Sequence, residues 1–219
     1  MPLSTFYTLI GKPVIEKYGR FKGRVIGFEL DSENNLKNIV FENGGVILSK
    51  NISSFEIHDG YLIYLPALIK EGTNLLNEYK DLELFIETLR KMYNMNLSRK
   101  LIRIYYDKTI GRFKSLSSRL SKYIKILERR RRKIEDQIEW LKNITFYLHI
   151  GNENGYLDST LYKYSYDLVS SEILKFTNEL EDIERISLEL TTINSKIESY
   201  LKDFQEVYEE NVEEKAGYT

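Results

Sequence analysis

The sequence predicts an α+β protein, a small β unit followed by a long helical region, and three observations carry that prediction. All three prolines (Pro2, Pro13, Pro66) and seven of the twelve glycines lie in the first 66 residues of a 219-residue chain. Proline is absent from residue 67 to the end, and glycine is sparse there. From residue 113 onward, apolar side chains recur at alternating steps of three and four, the spacing of one helical face.

In the first third, β-branched and aromatic runs stand between the glycines: Val14 to Tyr18, Arg24 to Leu30, Leu36 to Phe41, Val46 to Leu48, Ser54 to His58 and Tyr61 to Leu65. Each is strand-sized and too short for a helix. Asn43-Gly44 and Asp59-Gly60 are dipeptides suited to two-residue hairpin turns, so consecutive strands are expected to pair antiparallel. Six short strands joined in this way predict a strongly bent, closed β-barrel over residues 1–66. A unit of that size is near the lower limit for independent folding and is expected to lean on the helical region.

A first helix is expected from Thr73 or Asn74 to Tyr93, with Leu75, Leu76, Tyr79, Leu82, Phe85, Ile86 and Leu89 on one stripe. Asn94 and Asn96 offer a break and a fresh helix cap. The remainder, within a helical region spanning 67–215, predicts a long antiparallel hairpin with a coiled-coil seam. One arm contributes Phe113, Leu116, Leu120, Leu127, Ile134, Ile138 and Leu141, and the other Phe176, Leu180, Ile183, Leu190, Ile193, Ile197, Leu201 and Phe204. These are the candidate self-association residues, and Trp140 is expected within the same packing. Two glycines and two asparagines over 151–155 place the chain reversal near 151–156. Residues 216–219 form a C-terminal stub.

The formal charge is −1, yet it divides into 0 over residues 1–66, +9 over 67–150 and −10 over 151–219. Arg129-Arg130-Arg131-Arg132-Lys133 is the densest cationic run. It has two readings: neutralisation by the acidic return arm around Glu179, Glu181 and Asp182, or phosphate contact together with Arg119, Lys122 and Lys125.

The absence of cysteine excludes disulfides, thiol nucleophiles and Cys-zinc sites. Two histidines leave little for a metal cluster, and no cofactor is expected. His58 reads as a turn-flanking residue and His149 as a helix-end residue. Gly19 to Arg24 superficially suggests a phosphate loop, but no Ser or Thr follows the basic residue and a hairpin turn is expected there. No phosphate loop, dinucleotide fingerprint, zinc-protease motif or nucleophile elbow is present, so the chain is not expected to be an enzyme. No apolar run approaches a membrane span, and the first eleven residues lack the pattern of a signal peptide, which predicts a soluble cytoplasmic protein.

Residues 1–66 resemble a PRC-barrel domain through Ile10-Gly11-Lys12 with Val14, Tyr18-Gly19, Gly23-Arg24-Val25 with Gly27, Ile39-Val40, and Phe55-Glu56-Ile57 ahead of Leu62 to Leu65. Joined to a long helical hairpin with arms of opposite charge, the whole chain resembles the CdvA family of crenarchaeal cell-division proteins. The resemblance implies a filament-forming cytoskeletal scaffold that marks the division site, reaches the membrane only indirectly, and recruits the ESCRT-III-type protein CdvB. It also implies an association with duplex DNA. In that family the recruiting segment lies beyond the coiled coil, whereas here the acidic stretch Glu209 to Lys215 is followed only by the stub, so the segment is expected to be missing or shortened. The alternative function is a nucleoid-associated DNA-binding protein. A membrane-bending rod is disfavoured because no helix sets a Lys-rich face against a Trp/Phe/Leu face.

Overall fold

The protein's structure is a computed structural model describing residues 6–95 and 98–216. It is α+β: six strands, β1 (Pro13–Glu16), β2 (Lys22–Leu30), β3 (Leu36–Asn43), β4 (Val46–Asn51), β5 (Phe55–Ile57) and β6 (Leu62–Tyr64), precede three helices, α1 (Ala67–Asn94), α2 (Arg99–Glu153) and α3 (Ser159–Ala216). Asn96, expected as a helix cap, the start of the chain and residues 217–219 of the stub lie outside the described residues.

The strands form one curled half-barrel sheet in the order β4-β3-β2-β1-β6-β5. The expected closed barrel is therefore corrected to an open one, with β4 and β5 as its two edges. The sheet stays open because β4 and β5, its two end strands, do not pair; β1 takes β6 as a parallel neighbour, Val14 opposite Leu62, which sets the β5–β6 hairpin at the edge opposite β4. A 3-10 turn at Ile52–Ser54 carries the chain from one edge to the other, with Ile52 packed against the sheet core. Consecutive antiparallel pairing holds for β1–β2, β2–β3, β3–β4 and β5–β6.

Both expected hairpin dipeptides are adjusted. Asn43 pairs with Val46, so the two-residue turn is Gly44-Gly45, whose φ angles of 57° and 83° suit glycine at both positions. Asp59-Gly60 sits in a four-residue connection closed by the His58 amide donating to the Tyr61 carbonyl at 3.0 Å, without the positive φ of a type I′ turn. The Gly19 segment is a hairpin turn as expected, with Gly19 at φ 76° between β1 and β2. Alternation in β2 buries Val25, which joins Leu9, Val14, Ile39, Phe41, Phe55 and Leu62 in the sheet core.

The chain packs as two compact units. The first combines the sheet and the chain up to Lys70 with Arg131–Asp182, the end of α2 and the start of α3. The second combines Glu71–Arg130 with the chain from Ile183 on.

In the first unit, α2 runs through Gly151 to Glu153, so the reversal spans 154–158, slightly later than expected. It is closed by glycine geometry: Gly155 has φ 70°, its amide donates to Asn152 O at 3.1 Å, and the Tyr156 amide donates to Gly151 O at 2.8 Å. These two bonds satisfy carbonyls that the last turn of α2 would leave orphaned. Asp158 then caps α3, its carboxylate accepting from the amides of Thr160 (2.8 Å) and Leu161 (3.3 Å).

In the second unit three helical segments share one core. Leu75, Tyr79, Leu82, Ile86 and Leu89 of α1 are buried, as are Leu116, Leu120, Tyr123 and Leu127 of α2 and Ile186, Leu190 and Ile197 of α3. Helix α1 begins at Ala67, ahead of the expected start, because Gly72 is a packing position and not a breaker. A Cβ there would lie 2.4 Å from the Tyr123 hydroxyl and 2.6 Å from Ile186 Cγ2.

Candidate interaction surface

The β1–β2 turn fixes the sheet to α3 through a partly buried polar cluster in the first unit. Glu16, 3% exposed, folds back within its own turn and accepts from the amides of Tyr18 (2.9 Å) and Arg20 (3.2 Å). Across the contact, Arg20 pairs with the buried Glu179, Lys17 pairs with Asp182 at 2.7 Å, and the Tyr18 hydroxyl donates to Asp182 at 2.9 Å. Arg20 also lies over the Tyr18 and Phe176 rings, at 5.1 and 5.5 Å from their centroids. Burial, reinforced by the neighbouring Asp182 carboxylate, pushes the Tyr18 phenol far above its ordinary range, so it remains a hydrogen-bond donor. Arg20 and Lys17 of the β1–β2 turn are thus among the partners of Glu179 and Asp182, a contact between the sheet and α3 that charge segregation alone did not announce.

A second polar layer spans the three helical segments of the other unit. Asn194 Oδ1 accepts from the Tyr79 hydroxyl at 2.9 Å and from Ser117 Oγ at 2.7 Å. Burial raises the Tyr79 phenol despite the opposing effects of Ser117 and Arg119. One polar residue satisfied by partners on two other helices selects a single register, because sliding α3 by a turn would orphan all three groups and sliding α1 or α2 would orphan one hydroxyl.

The candidate phosphate contacts divide between the units. Arg119, Lys122, Lys125, Arg129 and Arg130 belong to the second, and Arg131, Arg132 and Lys133 to the first. Arg119 donates to Glu78 at 2.6 Å, and that hydrogen bond raises its guanidinium further above its usual value. Arg131 Nε pairs with Glu135 at 2.8 Å within α2. Lys122, Lys125, Arg129, Arg132 and Lys133 are exposed, and Arg130 is half-buried. Successive residues step about 100° around a helix, so the run radiates around α2 and does not form one cationic face.

The candidate self-association residues are interior positions of the chain's own units. Leu116, Leu120, Leu127, Ile134, Leu141, Ile183, Leu190, Ile197, Leu201 and Phe204 are buried, and Phe113, Ile138, Phe176, Leu180 and Ile193 are half-buried. A side chain already covered by its own chain offers little surface to another copy. The exposed apolar side chains concentrate instead beside the reversal. Trp140, expected in the interior, is 63% exposed, Tyr147 71% and Tyr164 65%. Sequence reading missed this second surface because these residues sit one position from the interior stripe and blend with it into one broad apolar band.

His149 closes the end of the first unit. Its Nδ1 hydrogen-bonds the Tyr162 hydroxyl at 2.8 Å, and its ring lies against Tyr162 and Tyr166. His58 stacks on Tyr61 with centroids 4.8 Å apart beside the β5–β6 connection. Among the described residues no group of three or more His, Asp or Glu is arranged to hold a metal, and no helix is long and apolar enough to cross a membrane. No protein-family profile, curated protein or solved structure matches the chain.

Proposed function

We propose that the protein is a non-enzymatic, filament-forming scaffold of the archaeal cell-division type, in which α2 and α3 act as a long antiparallel hairpin. The observation that carries this reading is the pair of uninterrupted helices, 55 and 58 residues long, bearing large exposed apolar side chains such as Trp140, Tyr147, Leu168, Leu174 and Leu188. Long helices that cover one apolar stripe internally and leave another uncovered are building blocks for association, and a contact that does not close on itself produces an open filament. The resemblance to the CdvA family agrees in domain order and charge segregation. It adds a cytoplasmic role at the division site and recruitment of an ESCRT-III-type partner through a C-terminal segment.

A second reading, nucleoid-associated DNA binding, is favoured by the exposed Lys122, Lys125, Arg129, Arg132 and Lys133 on one helix. Negative-stain microscopy and sedimentation of the purified chain, with and without duplex DNA, test both. Filaments that form without DNA and persist in 0.3 M salt support the scaffold. Polymer that appears only with DNA and dissolves over that salt range supports the DNA binder. A monodisperse monomer at high concentration overturns the scaffold.

A further inference from the structure

The surface beside the reversal lies wholly in the first unit and differs from the rest of the chain. Between Trp140 and Leu168, 29 residues hold seven aromatic side chains and only five charged ones, Lys142, Glu153, Asp158, Lys163 and Asp167. In the whole chain 30% of residues are charged and 13% aromatic, so this segment is depleted in charge and enriched in aromatics, the composition that marks the core of a protein–protein interface.

Six of the nine large apolar side chains exposed in this segment fall on two stripes, with Phe146, Tyr156 and Tyr166 lying off them. Trp140, Tyr147 and Ile150 follow one another at steps of seven and three along α2, and Leu161, Tyr164 and Leu168 at steps of three and four along α3. Each stripe runs one residue ahead of the covered stripe on its own helix: Trp140 precedes Leu141, Tyr147 precedes Leu148, Leu161 precedes Tyr162 and Leu168 precedes Val169. One residue is about 100° of rotation. The two helices run in opposite directions through the reversal, so equal offsets turn both exposed stripes to the same side and join them into one face.

We propose that this face is where two copies of the chain meet, reversal against reversal about a two-fold axis. The inference rests on the scaffold reading and deepens it by naming the closed contact that pairs two chains into a building block; filament growth then requires a second, non-closing contact between such pairs. Three features select a second copy as the occupant. A stripe at three- and four-residue steps is complementary to another such stripe, and a face contributing two helices meets two more in its own copy, completing a four-helix arrangement. A patch that faces itself doubles whatever net charge it has, and two lysines against three carboxylates leave almost none. A lipid-facing surface would instead set cations toward anionic headgroups, and here the lysines are outnumbered. The area is of the right order: the three aromatics on the stripes, about two-thirds exposed and burying about 150–250 Å² each when fully covered, together with the three aliphatic side chains offer roughly 600–700 Å² per copy, near the lower end of the standard interface of about 800 Å² per partner.

Trp140 is the chain's one tryptophan and supplies a built-in reporter. In the full-length chain, its emission maximum is expected to move to shorter wavelength as concentration rises, in step with the mass measured by sedimentation. The variant Tyr147→Glu/Leu161→Glu, changing side chains that are 71% and 58% exposed, is expected to keep its circular dichroism and melting temperature while its self-association weakens at least tenfold. The uncharged variant Tyr147→Ser/Leu161→Ser serves where the glutamates disturb folding, with a loss in the same direction. If the wild-type chain assembles while Trp140 emission stays constant, or while both variants assemble unchanged, the contact lies elsewhere and the proposal is overturned although the scaffold reading survives. A wild-type chain that stays monomeric overturns both. Wild-type chain that pellets with phosphatidylserine vesicles while its variants assemble normally but no longer pellet would assign the face to lipid and overturn the proposal.

Discussion

At the scale of single residues, two glycines in helices have opposite meanings. Gly72 is held against Tyr123 and Ile186, both about 1% exposed, so neither neighbour has room to yield. Gly72→Ala is expected to cost about 1–3 kcal/mol through overpacking, outweighing the gain of about 1 kcal/mol in helix propensity. Gly111 has nothing within 4 Å of a built Cβ, so Gly111→Ala is expected to stabilise α2 by about 0.5–1 kcal/mol. Urea denaturation of the two variants reads both signs in one experiment, and a stabilising Gly72→Ala would refute the close approach. Asn194 is the other decisive residue. Asn194→Ala strands the hydroxyls of Tyr79 and Ser117 and is expected to cost about 1–3 kcal/mol. Combined with Tyr79→Phe it should cost less than the sum of the single changes, and strict additivity would mean that the two groups do not share the bond.

At the scale of elements, the cap of α3 carries a pH dependence. Hydrogen bonds from the amides of Thr160 and Leu161 hold the Asp158 carboxylate below its usual range. A depressed carboxylate stabilises the fold fully above its unfolded value of about 3.9, and that contribution fades as pH falls through the lower folded value. Protection of the Thr160 amide, measured against its intrinsic exchange rate, is therefore expected to fall below pH 4, and Asp158→Asn, which caps without ionising, should remove the dependence while keeping the amide protected at neutral pH. Element positions were largely legible in the sequence: all six strands lie within a few residues of their expected places because glycine punctuates and side chains alternate. Sheet closure was not, since nothing in the segment Phe55-Glu56-Ile57 announces that its hairpin will join β1 through a parallel strand. Gly72 misled for a related reason, because a glycine admitting a neighbour and a glycine ending a helix are written alike. At the candidate interface the aromatics were visible but their direction was not, since two stripes one residue apart read as a single wide one.

At the scale of the whole molecule, the segregated charge contributes less than its totals suggest. Three ion pairs between helices of the second unit, Arg119 with Glu78, Lys196 with Glu83 and Arg90 with Asp203, keep their basic partners 40–49% exposed, and such pairs are worth under about 1 kcal/mol each. Raising sodium chloride from 0.05 to 0.5 M is expected to move the melting temperature by only a few degrees, and a shift of tens of degrees would mean that charge holds the bundle together. The contacts of the β1–β2 turn have a different consequence, one of timing. Tyr18 and Asp182 are separated by 164 residues and Arg20 and Glu179 by 159. At about 5–20 residues per second, a ribosome that has passed the β1–β2 turn needs on the order of 10–30 s more to deliver the turn's partners on α3. Throughout that interval Lys17, Tyr18 and Arg20 are synthesised without their α3 partners, so the nascent sheet is exposed to chaperones and proteases before its docking contacts exist.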